Sequence, residues 1–145
     1  MAHALVDAFF VGVLVVLSVI DIRTRRLPNR IVLPAAAIVF AAQVALEPER
    51  ALEWTLAAVG AFAALYVIAA INPAGLGMGD VKLALLLGAA LGWQVLAALV
   101  VGFLLAAVAG ILMIVRSGWR ARKSTLPLGP FLAAGGIAAL LLQLL

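Results

Sequence analysis

The chain has 145 residues, 68% of them hydrophobic and 11% charged, with a mean hydropathy of +1.30; a soluble domain is nearer half apolar and a quarter charged. This composition excludes an ordinary soluble domain, and the net charge of +4 is no nucleic-acid signal, because the basic residues fall in loops beside apolar segments. With no cysteine and a single histidine, His3, disulfides and thiolate metal sites are excluded and no cofactor or metal is expected.

The N-terminal stretch MAHALVD carries no Lys or Arg. Positive charges follow the first apolar run, at Arg23, Arg25 and Arg26, and no small-residue cleavage site precedes them, so the run reads as a retained span rather than a signal peptide. Segment one covers Ala4 to Ile20, segment two Ile31 to Leu46 and segment three Leu52 to Ile71, each near the length that crosses a hydrocarbon core of ~30 Å. Asn72-Pro73 stops the third, since proline disfavours a helical residue before it. The glycine-rich stretch GLGMGDVKL, Gly75 to Leu83, comes next. From Leu83 to Val115 no residue is charged; a single helix of that length would be ~50 Å long, too long for one span. A break at Gly92-Trp93-Gln94 leaves a short segment four, Val81 to Leu91, and a full segment five, Gln94 to Val115. Segment six runs from Leu126 to Leu145. The runs are continuous and Ala/Leu-rich, without the alternation of a barrel strand. Gly88 with Gly92, and the pair Gly135-Gly136, read as sites of close helix packing.

Charge chooses between five and six crossings. With six, the side holding the loops after segments one, three and five carries nine of the ten Lys and Arg residues, and Arg50 stands alone on the other beside Glu47, Glu49 and Glu53. If segment four did not cross, the split would be five against five. The positive-inside rule therefore predicts an all-α membrane protein of six transmembrane helices, the fourth short, with both termini outside and residues 1–145 forming one domain. Asp21, Asp80 and the LPLGPFL stretch from Leu126 then share the cytoplasmic face.

Six residues are acidic. Glu47, Glu49, Glu53 and Asp7 read as exposed loop or end charges. Asp21 and Asp80 each abut a long apolar run, where a carboxylate is costly and marks a functional site. Their structural alternatives are a helix N-cap for Asp80 and a surface ion pair with Arg25 for Asp21. Two carboxylates brought close share a proton, so one can accept a proton from water while the other donates to a carbonyl, as metal-free amide hydrolysis requires. Asp21 lies near the C-terminal end of its helix and Asp80 near the N-terminal end of another, so the helix dipoles predict Asp80 as the base and Asp21 as the acid. Lys82 reads either as an interface anchor or as a positive charge beside Asp80. Glycines alone do not make GLGMG a phosphate loop, because no strand precedes it.

The stretches SVIDIRTRRLPN, GLGMGDVKL and LPLGPFL resemble, in order and spacing, the three motifs of the type IV prepilin peptidases, GxGD-type membrane aspartic proteases. The resemblance covers about Val11 to Leu140. It implies that Asp21 and Asp80 are the catalytic pair, that Gly77, Gly79 and Lys82 belong to the GxGD motif, and that Pro127, Gly129 and Pro130 form the third. It further implies an endopeptidase of the bacterial inner membrane, active at the cytoplasmic face, whose partner is a prepilin-like substrate with a leader and a hydrophobic helix. The larger relatives add a cytoplasmic domain with zinc-binding cysteines and N-methylate the new terminus. The short form, similar to those of Flp/Tad pilus systems, is expected to lack that soluble N-terminal methyltransferase/zinc domain. Two other readings stand beside this one: a proton- or cation-coupled transporter using Asp21 and Asp80 as a relay, and a non-catalytic assembly factor.

Overall fold

The computed structural model describes residues 2–24, 29–72, 77–118 and 128–144. They form α1 (Ala2–Thr24), α2 (Asn29–Leu46), α3 (Ala51–Ile71), α4 (Met78–Leu91), α5 (Val95–Ser117) and α6 (Leu128–Leu144), with single 3-10 turns at Pro48–Arg50 and Gly92–Gln94. The stretches Ala2–Thr24, Asn29–Leu46, Pro48–Ile71 and Met78–Ser117 are long and apolar enough to cross a membrane, and α6 is a shorter apolar helix. Leu96, Leu104, Ile111 and Val115 point outward along α5, all more than half exposed. A surface this apolar belongs in lipid, and the chain is a multi-pass membrane protein.

The helices extend past the apolar segments at several ends. α1 continues through Asp21 to Thr24, and α4 begins at Met78 rather than Val81. Polar residues continue these helices, and hydropathy does not register them. The long uncharged run divides where expected. Gly92 takes φ +60°, a conformation that L side chains rarely adopt, and its N–H returns to the Gly88 carbonyl to close α4.

The short helix is the centre of the bundle. α4 packs against α2, α3, α5 and α6, and Val81, Leu83, Leu86, Leu87 and Leu91 are fully buried. Burial on every side explains why α4 shows no polar face in the sequence. Two glycines set the closest approaches. A Cβ on Gly88 would lie 2.5 Å from the Ala57 carbonyl oxygen and from the Ala58 Cα, both in α3. One on Gly135 would run into the Ala98 carbonyl oxygen of α5. Small residues at these crossings let backbones touch, which is how helices associate in lipid.

At about 21 Å, α4 is shorter than the hydrocarbon core, so its last carbonyls need partners from within the protein. Two glutamines supply them. Gln43 of α2, itself buried, donates from Nε2 to the Ala90 carbonyl at 2.8 Å, and Gln143 of α6 donates to the Leu91 carbonyl at 3.1 Å. The acidic group at this end is more ordered than solvated loop charges would be. Arg50 donates to Glu53 at 2.7 and 2.8 Å and to Glu47 at 3.0 Å, and its guanidinium lies 4.2 Å from the centre of the Trp54 ring. Glu53 also accepts the Trp93 backbone N–H at 3.4 Å, which ties α3 to the turn after α4.

Helix propensity favours alanine over glycine by ~1 kcal/mol. At Gly88 the backbone contact reverses that sign. Gly88→Ala is expected to destabilise the folded protein by about 2 kcal/mol, the usual cost of overpacking, in reversible denaturation from micelles. Unchanged or increased stability would refute this account of the α3–α4 crossing.

Candidate active site

On α1, Phe10, Leu14, Leu17 and Asp21 form one buried stripe at the i, i+4, i+7, i+11 spacing of a helix face. Asp21 is 6% exposed, so it does not lie at the surface. Arg25, its ion-pair partner in the structural alternative, falls outside the described residues. The Oδ2 atom of Asp21 accepts a hydrogen bond from the backbone N–H of Gly129 at 2.9 Å, in a buried contact that spans most of the chain. Gly129 is the second residue of α6. Its N–H is therefore one of the donors that a helix N-terminus leaves without an intrahelical acceptor. Pro130 follows in the same first turn, where its missing N–H costs nothing. Pro127 lies outside the described residues.

Asp80 comes from the opposite direction in the fold. It is the third residue of α4, half-buried, and not the N-cap. That position belongs to Gly77, whose backbone is extended (φ −83°, ψ 157°) and whose side makes no capping bond. The Asp80 N–H reaches the Gly77 carbonyl at 3.2 Å, and the Asp80 carboxylate takes a hydrogen bond from the Gly77 backbone N–H. This is the return bond of a capping box, made by an aspartate three residues into the helix. Gly79 fills the second position of α4.

The fold thus brings Asp21 and Asp80 to one end of the bundle, close enough for the charge of each to act on the other. Each carboxylate also meets the N-terminus of a helix: Asp80 that of α4, its own, and Asp21 that of α6. The dipole argument that would separate base from acid no longer distinguishes them, because α6 supplies Asp21 with what α4 supplies Asp80.

Lys82 points elsewhere. Its Nζ donates to the Asn29 Oδ1 at 2.8 Å and so joins α4 to the first residue of α2. Asn29 closes the stretch that begins at Asp21. The described parts of the three sequence motifs are therefore linked in pairs, Gly129 to Asp21 and Lys82 to Asn29. Among the described residues, no group of three or more His, Asp or Glu side chains could hold a metal ion. Sequence reasoning missed Asn29 as the partner of Lys82, as it missed both glutamines. Spacing within one helix carries no record of a partner on another.

A sequence model described as the type IV leader peptidase family matches residues 8–115. The chain is similar to the prepilin leader peptidase/N-methyltransferase of Bacillus subtilis (strain 168), 35% identical over 137 residues, covering 91% of this chain and 53% of that protein. It is similar to the Escherichia coli (strain K12) protein of the same name, 36% identical over 128 residues, 83% of this chain and 56% of the relative. A third, from Burkholderia pseudomallei (strain 1026b), is 51% identical over 69 residues, 46% of this chain and 21% of the relative. The chain spans about half the length of the curated relatives it matches along most of its own sequence. No solved structure matches it.

The Lys82–Asn29 bond is open to a double-mutant cycle. Asn29→Ala and Lys82→Met are expected to be non-additive in stability, with a coupling of about 0.5–1 kcal/mol, the net worth of one exposed hydrogen bond. Strict additivity would show that the contact contributes nothing.

Proposed function

We infer that this chain, which belongs to the type IV leader peptidase family, is a membrane-embedded aspartic endopeptidase that removes the leader of prepilin-like proteins. The observation that carries the reading is that Asp21 near the end of α1 and Asp80 at the start of α4 come to the same end of the bundle, within range of each other's charge. Like charges so placed favour a shared proton. In the proposed reaction one carboxylate takes a proton from water, whose oxygen attacks the scissile carbonyl carbon. The other carboxyl protonates the carbonyl oxygen as charge develops there. Collapse of the tetrahedral intermediate breaks the C–N bond: the carboxyl that took the water proton passes it to the departing nitrogen, and the other carboxylate recovers a proton from a hydroxyl of the gem-diol. The assignment of base and acid belongs to the pair as a unit.

The distribution of basic residues supports six spans with both termini outside and the aspartates at the cytoplasmic face of a bacterial inner membrane. Of the motif residues, Gly129 bonds Asp21 and Gly77 bonds Asp80, with Gly79 and Pro130 beside them in the first turns of α4 and α6; Lys82 and Pro127 belong to this reading through the resemblance alone. A substrate helix must unwind to expose its carbonyl, and that is less costly beside water than at the bilayer centre. The transporter reading loses ground on two counts. The carboxylates sit at one end of their helices rather than midway, and the matched relatives are named peptidases.

Purified protein is expected to cleave a prepilin-like substrate, and Asp21→Asn and Asp80→Asn are each expected to lower the rate by at least ~10²-fold, since an amide can neither activate water nor donate the proton. Wild-type rates in either variant would sink the dyad. Single cysteines placed at Ser117 and at Glu49 are expected to react with impermeant reagents from opposite sides of the membrane; labelling from the same side would remove the six-span arrangement.

A further inference from the structure

The glycines of this bundle fall into two kinds, according to what a side chain would strike. At Gly88 and Gly135 it would strike the backbone of a neighbouring helix. At Gly129 it would strike a carboxylate. A Cβ there would lie 2.5 Å from Asp21 Oδ2, 3.1 Å from its Cγ and 3.3 Å from its Cβ. The same residue donates its N–H to that Oδ2 atom at 2.9 Å. One position therefore holds the carboxylate by its backbone and leaves room for it by having no side chain.

We propose that Gly129 is a positioning residue of Asp21, presenting this N–H and this gap to the carboxylate. The proposal rests on the peptidase reading. Four features of the site support it. The donor comes from the first turn of α6, where the N–H has no competing acceptor within its helix. Pro130 occupies the next position, inside that turn, and presets the backbone φ without needing a donor of its own. Asp21 is buried, so water cannot readily replace a lost donor. α6 is in turn fixed against α5 at the Gly135 crossing, which gives the donor a rigid support. The part that would yield to a side chain at 129 is the end of the Asp21 side chain, because it can rotate and a packed helix cannot. The damage falls on the reacting group and leaves the fold largely intact.

The test compares two changes at one position in the full-length purified protein, with a prepilin-like substrate. Gly129→Ala adds the methyl group. Replacement of Gly129 by glycolic acid makes a backbone ester, which removes the N–H and adds no atom. Both are expected to lower kcat by about 10²-fold, the effect of misplacing a reacting group by an ångström, with KM unchanged. The melting temperature is expected to fall by no more than about 10 °C, the effect of one lost hydrogen bond to a buried carboxylate, with the protein folded at the assay temperature. Wild-type kcat in the ester protein would overturn the proposal even if the alanine variant fails to fold. An equal rise in KM would also overturn it, since that is the mark of lost substrate binding. Infrared difference spectra separate this proposal from the reading beneath it. The carboxyl band that disappears in Asp21→Asn is expected to shift in the ester protein. If the unsubstituted protein cleaves no prepilin-like substrate, the peptidase reading fails, and a shifted band still establishes the contact. An unshifted band overturns the contact, whatever the activity.

Discussion

Hydrocarbon offers no water to a backbone donor or acceptor, so every helix end placed within it must be completed by another part of the protein. This constraint explains most of the polar contacts between helices in this chain. α4 is too short to carry both its ends to the membrane surfaces. Its final carbonyls are met by Gln43 and Gln143, from α2 and α6. Its first turn is closed by Asp80 reaching back to Gly77. The first turn of α6 is met by Asp21. The same requirement that completes the helix ends therefore places the two carboxylates at one end of the bundle.

A short central helix also explains the asymmetry of the molecule. One end of α4 is finished by neutral amides and flanked by the Arg50 network with Glu47, Glu53 and Trp54. The other is closed by the Asp80 carboxylate, with Asp21 at the same end. A carboxylate can change protonation and a glutamine amide cannot, so the group that closes the first turn of α4 is titratable and the two that bond its last carbonyls are not.

Much of this was legible in the sequence, and the reasons differ between residues. The break at Gly92 could be read because helix length and bilayer thickness are fixed quantities. Asp21 and Asp80 stood out because a carboxylate beside an apolar run is rare. Gly88 and Gly135 were legible because small residues at a helix crossing have few other uses in lipid. What could not be read was the choice of partner. Lys82 reads in the sequence as an interface anchor or a charge beside Asp80, and it reaches Asn29. The cap that is the structural alternative for Asp80 falls to Gly77, and Asp80 is the third residue of the helix. Glu47 and Glu53 were expected in solvent and instead grip Arg50. Gln43 carries no signal in the sequence, because one glutamine in an apolar run is indistinguishable from a tolerated defect until the carbonyl it serves is seen.

The paired glutamines bear on the order in which the protein is made. α2 leaves the ribosome before α4, so Gln43 is at hand when Ala90 enters the membrane. Gln143 belongs to α6, which is synthesised after both α4 and α5. Until then the Leu91 carbonyl lacks the Gln143 donor. α4 can therefore enter the bilayer early but settles only when α6 arrives, and the same step delivers Gly129 to Asp21. Completion of the α4 core and closure of the Asp21 contact therefore wait on the same helix.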